Sequence, residues 1–158
     1  MKRAVQSLAV LLAAAPLVLA AQTPALAFAS PEAELMSLIV TQTNQLRNAA
    51  GCGQLDVDQE LITASVVQSD YMATTGTFSH IGQGGSNFVG RAQAAGYTSP
   101  AGENIAWGYD TATEVMTAWM ASPPHRSNIL NCAVHSIGTG VTYAADGTPY
   151  FTQVFGWR

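Results

Sequence analysis

The chain is poor in charge, and above all in basic charge. It contains a single lysine, Lys2, and its Lys and Arg residues together number 6, against 10 Asp and Glu. Binding to nucleic acid or to an anionic membrane surface calls for clustered basic side chains, which are missing from this sequence. The composition therefore predicts no nucleic-acid partner and gives no support to binding at a membrane surface.

Long hydrophobic runs are also scarce, since the only one extends from Leu8 to Ala21. That run is shorter than the roughly 20 apolar residues that cross a bilayer. It follows the basic Lys2 and Arg3, and the small-residue motifs ALA and AFA come after it, as in an export signal.

We therefore predict a signal peptide over residues 1–27 and a single mature domain over residues 28–158, with no transmembrane segment after cleavage. The mature protein is expected to be secreted or periplasmic, because such a signal encodes export but not the final address. An uncleaved N-terminal anchor is the alternative, since the compositions of signals and anchors overlap.

Cysteine is rare as well, with Cys52 and Cys132 as the only two. Both stand beside turn residues, and an oxidising compartment favours their pairing in one disulfide. A site in which Cys and His bind a metal is the alternative, but the closely spaced cysteine pairs of such sites are absent. The prediction is a Cys52–Cys132 disulfide.

Four segments have helical patterns with recognisable ends. A capping residue begins each segment, and a glycine or proline ends it. In chain order, the start and end residues are Ser30 and Gly51, Asp58 and Gly76, Ser86 or Asn87 and Gly96, and Thr111 and Pro123. The second segment has apolar residues on two sides, which predicts a helix buried between layers.

The pattern changes to alternation towards the C-terminus. The segments SIGTGVTY and YFTQVFGW alternate around the turn DGTP, which predicts an antiparallel hairpin. Helices followed by strands indicate an α+β domain, with helices covering an antiparallel sheet.

Two ionisable residues stand out in the middle of the chain. His80, in FSHIG, follows the second helix, where a loop position would let its imidazole face a cleft or bond to a backbone carbonyl. Glu103, in AGENIAWG, lies in an apolar stretch and must be paired, hydrogen-bonded or exposed. Its neighbours Asn104 and Trp107 are interpreted as structural, the first as a turn residue and the second as a packing residue.

A third candidate, His125, follows two prolines in WMASPPHRSNILN. The prolines end the fourth helix and restrict the backbone, so this imidazole has a defined direction. Arg126 is expected to pair with Glu103, Glu114 or Asp110. His135 is interpreted as structural or exposed. No Gly-x-Ser-x-Gly elbow, His-Glu-x-x-His helix or phosphate-binding glycine loop occurs.

Four motifs taken together, FSHIG, AGENIAWG, AWMASPPHRSNIL and YFTQVFGWR, resemble the bacterial branch of the CAP superfamily, the SCP/PR-1-like extracellular domains. The resemblance spans about residues 33–157. It implies an α-β-α sandwich with a small antiparallel sheet between helical layers, and a cleft lined by polar residues.

The resemblance also implies candidate cleft residues. Eukaryotic members hold two histidines and two glutamates in the cleft, and some bind a divalent metal there. His80 matches the first histidine and Glu103 matches the glutamate of GEN. Tyr150 and Ser122 fall where the other two would stand, and His125 could replace the missing histidine.

Two interpretations of this cleft follow. His80, His125 and Glu103 match a zinc shell completed by water, so zinc or another divalent metal is the one cofactor considered. The competing reading is a hydrogen-bonded polar cluster, in which Ser122 and Arg126 help to hold the turn against the GEN segment.

The function favoured by the sequence is a secreted or periplasmic ligand-binding module. Its partner would be a small molecule, a lipid, a glycan or a peptide, held in the His/Glu cleft or in an adjacent apolar groove. A divalent-metal-assisted hydrolase and an envelope protein-interaction domain are the alternatives, and the missing catalytic signature favours a protein that is not an enzyme.

Overall fold

The structure is a computed structural model, and it describes residues 30–158. The predicted signal peptide lies outside the described residues. Residues 30–158 form five α-helices and four strands, in the order α1 (Pro31–Ala49), β1 (Asp56–Val57), α2 (Gln59–Thr75), α3 (Phe88–Ala94), β2 (Pro100–Trp107), α4 (Ala112–Ala121), α5 (Pro123–Ile129), β3 (Ser136–Tyr143) and β4 (Pro149–Gly156). None of these helices is long and apolar enough to cross a membrane.

The four strands form one sheet in the order β1-β3-β4-β2. The predicted hairpin is confirmed, because β3 and β4 pair antiparallel and meet where Tyr143 faces Pro149. The short strand β1 pairs parallel to β3, so the sheet is mixed and not purely antiparallel. The sequence did not predict β2, which pairs antiparallel with β4.

The AGENIAWG segment escaped prediction as a strand because helices cover it on both faces. Its residues from Gly102 to Ala106 are all buried, so no alternation between polar and apolar positions marks it. The interpretation of Asn104 as a turn residue was wrong, because Asn104 is in the middle of β2.

Helices cover both faces of the sheet, and the predicted α+β sandwich is confirmed. Helices α1, α4 and α5 pack on one face, where Ile137, Phe151 and Phe155 contribute to the larger core. Helices α2 and α3 pack on the other face, around Val154 and Tyr150.

Helix α2 lies very close to β3, because glycines line the strand beneath it. A Cβ atom at Gly138 or Gly140 would overlap the backbone of α2. Ser65 and Ser69 of α2 donate hydrogen bonds to the carbonyls of these two glycines, at 3.0 and 2.9 Å. The part of α2 that lies over these two glycines therefore carries small polar side chains, Ser65 and Ser69.

The prediction that both apolar sides of α2 are buried was wrong. Val66 and Val67 are exposed to solvent, whereas Ser65, Gln68 and Ser69 are buried. The contact with β3 requires small side chains more than apolar ones, and hydrogen bonds to strand carbonyls satisfy their polar groups.

The predicted disulfide between Cys52 and Cys132 is confirmed. It joins the loop after α1 to the segment after α5. The same region surrounds the fully buried Arg47, which donates hydrogen bonds to the carbonyls of Gly53, Ile129, Asn131 and Val134 at 2.8 to 3.0 Å. Arg47 thus satisfies four loop carbonyls near the disulfide, and burial lowers its pKa.

Candidate functional site

A buried carboxylate on β2 organises the site. The side chain of Glu103 is almost fully enclosed, and both of its oxygens are occupied. Oε2 accepts a hydrogen bond from Arg91 Nη2 at 2.5 Å, and Oε1 lies 2.8 Å from His80 Nδ1. The carboxylate is paired, as its apolar surroundings required, but its partners come from α3 and from the loop after α2.

Besides pairing with Glu103, Arg91 holds the loop that carries His80. Its guanidinium donates to the carbonyl of Ser86 at 2.7 Å and to the carbonyl of His80 at 3.3 Å. Gln68 of α2 donates to the carbonyl of Ser79 at 2.5 Å. Two buried side chains therefore fix the backbone on either side of the imidazole.

Arg91 was not among the site residues predicted from the sequence. The available signal was a cation in FVGRAQAAG, a helix whose other residues are mostly apolar or small. Such an arginine in a short buried helix needs an anionic partner, and Glu103 is the carboxylate that the fold supplies.

His80 combines a fixed ring with an open edge. Its Nδ1 faces the Glu103 carboxylate, so this nitrogen carries the proton that is shared in the hydrogen bond. The side chain is nevertheless 54% exposed. The bond to a carboxylate, and not to a backbone carbonyl, leaves the remainder of the imidazole available to a ligand.

The prolines before His125 begin a helix as well as ending one. They end α4 as predicted, but Pro123 also stands at the first position of α5, where its missing N–H and fixed φ are favourable. His125 therefore lies in a helix and not in a turn, which corrects the prediction.

Asn104 holds α5 against the sheet. Its Nδ2 donates to the carbonyl of His125 at 3.2 Å and to Gln153 Oε1 at 3.1 Å, and its Oδ1 accepts from Asn128 Nδ2 at 2.8 Å. The His125 ring is half-buried. Burial lowers the pKa of His125, and the nearby charge of His80 lowers it further, so the neutral imidazole is favoured.

Arg126 does not make the predicted ion pair. It is exposed on α5, and its guanidinium donates to the carbonyl of Met120 at 3.3 Å. Glu103 is already paired with Arg91, and Glu114 closes the capping box with Thr111 at the start of α4. Two of the three predicted carboxylate partners, Glu103 and Glu114, are therefore engaged by other groups.

A cleft of about 280 Å³ lies beside the edge strand β2. Of the predicted residues, Ser122 and His125 line it, whereas Glu103 is buried within β2 and neither His80 nor Arg126 is part of the lining. The remaining lining is largely aromatic and apolar and consists of Phe78, Ile105, Ala106, Trp107, Tyr109, Ala118 and Trp119. His135 is exposed and does not line the cleft.

The interpretation of Trp107 as a packing residue was wrong in part. Its indole stacks on Tyr150, with centroids 6.3 Å apart and planes inclined by 21°, but it remains 53% exposed. Phe78 lies 6.4 Å away in a tilted arrangement and is 48% exposed. Two neighbouring aromatic rings therefore face solvent at one rim of the cleft.

The residues around Glu103 do not fit a metal in this arrangement. Within residues 30–158, no three His, Cys, Asp or Glu side chains are grouped so that they could hold a metal ion. Both oxygens of Glu103 are engaged, one of them by a cation. The zinc shell formed by His80, His125 and Glu103 stays a prediction. The hydrogen bond from the Arg91 guanidinium to Glu103 counts against it.

A larger groove of about 590 Å³ lies between α1 and α4. Leu46, Met116 and Met120 supply its apolar lining, and Gln42 and Thr113 supply polar groups. Its lining contains no titratable side chain, whereas the lining of the cleft at β2 includes His125.

Comparison with known proteins decides the family. The model of the CAP family, described as the cysteine-rich secretory protein family, matches residues 40–155. The chain belongs to the CAP family. The sequence-based resemblance to CAP domains is thereby confirmed.

Relatives of this CAP protein occur in several bacteria. The Bacillus subtilis (strain 168) protein YkwD is 34% identical over 75% of this chain, but the match covers 46% of YkwD. An extracellular SCP-domain protein of Bacillus anthracis has a TM-score of 0.73 at 26% identity over 80% of this chain and 41% of its own. An outer surface protein of Borrelia burgdorferi shares the fold, with a TM-score of 0.72 at 23% identity over 79% of this chain and 93% of its own.

The CAP protein therefore spans less than half the length of the curated relative YkwD. The similarity establishes the domain and its fold.

Proposed function

We propose that this CAP protein is an extracytoplasmic binding module whose ligand occupies the cleft beside β2. The observation that carries the proposal is the combination of two half-exposed aromatic rings with a half-buried imidazole in one concavity. Soluble proteins rarely leave neighbouring aromatic rings open to solvent unless the surface serves binding.

The polar part of the site supports recognition of a ligand. Glu103 and Arg91 neutralise each other in the interior and hold His80 in one orientation without using its exposed edge. A rigid, hydrogen-bonded scaffold loses little conformational entropy when a ligand binds. Ser122 contributes a hydroxyl whose side chain caps no helix.

We further propose that residues 1–27 direct export and are removed after Ala27. The basic start and the apolar run carry this part of the proposal. The Bacillus anthracis relative is an extracellular protein, which supports this proposal. Mass spectrometry of the protein exported from a bacterial host should give an N-terminus at Phe28, and an intact N-terminus would contradict the proposed cleavage.

Amide chemical shifts measured by NMR test the proposed binding site. Soluble glycan, lipid and peptide probes are added separately to the disulfide-bonded protein. At least one class should shift resonances of Trp107 and the loop around Phe78, and His125→Ala should weaken that response. His135→Ala is the matched control, because His135 is exposed outside the cleft lining. No response to any class, or a response confined to the groove between α1 and α4, would refute the site.

The metal-assisted hydrolase and the envelope protein-interaction domain stay alternative predictions. A zinc titration by calorimetry distinguishes the first, since one-to-one binding that is lost in His125→Ala would place a metal in the cleft. Pull-down from envelope extracts distinguishes the second, since a partner retained by the His125→Ala and Trp107→Ala variants would bind another surface.

A further inference from the structure

We infer that the cleft beside β2 binds a neutral glycan, with one sugar ring placed against Trp107. This inference rests on the proposed binding site and adds the class of ligand. It is carried by three properties of the site: an open aromatic face, polar groups beside it, and compensated charge.

The aromatic face has the form that a sugar ring requires. A pyranose ring presents C–H groups on its faces and hydroxyl groups around its edge. Tyr150 supports Trp107 from one side by near-parallel stacking, which holds the indole in place while about half of it stays exposed. A rigid ring of this kind offers apolar contact at low conformational cost.

Hydroxyl partners lie next to the aromatic rings. Ser122 and His125 line the same cleft as Trp107. The Ser122 hydroxyl group and the neutral imidazole of His125 can each donate and accept hydrogen bonds, as sugar hydroxyls do. An apolar face with such groups at its edge matches a sugar better than a hydrocarbon chain.

The charges around the cleft favour a neutral ligand. Glu103 is compensated internally by Arg91. His125 favours its neutral form, so the cleft lining carries no strong charge that would select an anion or a cation.

Addition of a peptide strand to β2 is disfavoured by the hydrogen bonds at its edge. Asn128 Nδ2 donates to the carbonyl of Glu103 at 3.2 Å, and Trp119 Nε1 donates to the carbonyl of Ile105 at 3.1 Å. These two carbonyls are therefore not free to receive the main-chain hydrogen bonds of an added strand. The cleft, at about 280 Å³, is slightly smaller than the usual range of about 300–1,000 Å³ for small-molecule sites, and this size suits a ring better than an acyl chain.

The test is calorimetric titration of the disulfide-bonded protein with two neutral probes, the β-1,4-linked tetrasaccharides of glucose and of N-acetylglucosamine. At least one probe should bind, and Trp107→Ala should lower its association constant by about tenfold. Trp157→Ala is the matched control, because Trp157 is 46% exposed and lies outside the cleft lining. Thermal melts of both variants confirm that the fold is retained.

Each outcome decides the inference. Binding that depends on Trp107 but not on Trp157 supports it. Equal binding by Trp107→Ala and the unchanged protein overturns it, as does an equal loss in both variants. A neutral hexapeptide or phosphatidylcholine vesicles could bind through Trp107 while neither sugar binds. That result overturns the inference that the ligand is a glycan, but it agrees with the proposed binding module. No cleft binding by any of these probes overturns both.

Discussion

At the scale of single residues, the site depends on how one buried negative charge is compensated. The Glu103 carboxylate is enclosed, and a guanidinium that is itself buried lies against it. Burying either charge alone would cost several kcal/mol, whereas the pair with its additional hydrogen bonds is tolerated. The exposed His80 is positioned by this pair, so a structural ion pair and a partly exposed imidazole share one carboxylate.

Removal of the Arg91 cation should therefore destabilise the domain. Arg91→Met leaves Glu103 buried without its charged partner and releases the loop carbonyls of His80 and Ser86. We expect the free energy of unfolding to fall by about 3–5 kcal/mol in urea titrations. Arg126→Met is the control and should change it by less than about 0.5 kcal/mol, because Arg126 is exposed. Equal effects would contradict the role given to Arg91.

Acidification should lower the free energy of unfolding, because His125 is half-buried. Its pKa is lowered in the folded protein, first by burial and then by the charge of His80. The unfolded chain, with the ordinary value near 6.5, therefore binds a proton more readily than the folded chain as the pH falls. This contribution to stability is complete above pH 6.5 and is lost below it.

Substitution of this imidazole should make the stability profile flatter. In His125→Gln, the decrease in the free energy of unfolding from about pH 7.5 to about pH 5 should be smaller than in the unchanged protein, as measured by urea titration at each pH. His135→Gln, at an exposed position, is the control and should keep the original profile. An unaltered slope in His125→Gln would show that another group governs the acid response.

At the scale of elements, two contacts determine where the site forms. Helix α2 approaches β3 closely at Gly138 and Gly140, and this contact places the end of α2, and hence the His80 loop, beside the sheet. Helix α5 is held to β2 by the Asn104–Asn128 hydrogen bond, which places His125 at the strand edge. The cleft lies where these independently positioned elements meet.

A methyl group at Gly140 should push α2 away from the sheet. Its Cβ would overlap the backbone between Ser65 and Val66, which has no flexible side chain to yield. We expect Gly140→Ala to lower the free energy of unfolding by at least about 2 kcal/mol, measured by chemical denaturation. Gly53→Ala is the control, since a Cβ there meets nothing within 4 Å and should have little effect. A neutral Gly140→Ala would show that α2 can shift without cost.

At the scale of the whole molecule, the disulfide joins two distant parts of the chain. Cys52 and Cys132 have a sequence separation of 80, and this closed loop contains β1, α2, α3, β2, α4 and α5. In the chain-entropy description, such a link acts on the unfolded state by restricting its conformations. Helices α2 to α5 and all residues that line the cleft therefore belong to one covalently closed loop, whereas α1, β3 and β4 lie outside it.

The double variant Cys52→Ser, Cys132→Ser should lose about 4 kcal/mol of unfolding free energy relative to the oxidised protein. Urea titrations of the variant and of the reduced original protein should agree, because both lack the link. A loss below about 1 kcal/mol in both would mean that the disulfide contributes little, and a loss confined to the variant would point to the serine hydroxyls instead of the link.

The sequence by itself determined the features that depend on neighbouring residues. Ser30, Asp58, Asn87 and Thr111 cap the helices as predicted, because a capping side chain bonds to backbone only two or three residues away. The C-terminal hairpin was predictable for the same reason, since its alternation and its turn are local. The CAP family could be recognised from short motifs in their order along the chain.

Only the tertiary structure decided which groups meet. Glu103 pairs with Arg91, 12 residues away, and with His80, 23 residues away, and no local pattern specifies either partner. Strand β2 lacks alternation because helices cover both of its faces, and Trp107 is exposed because the strand ends at the rim of the cleft. Helix caps are satisfied within a single turn, whereas a buried charge and an open aromatic ring acquire their surroundings only when distant elements pack together.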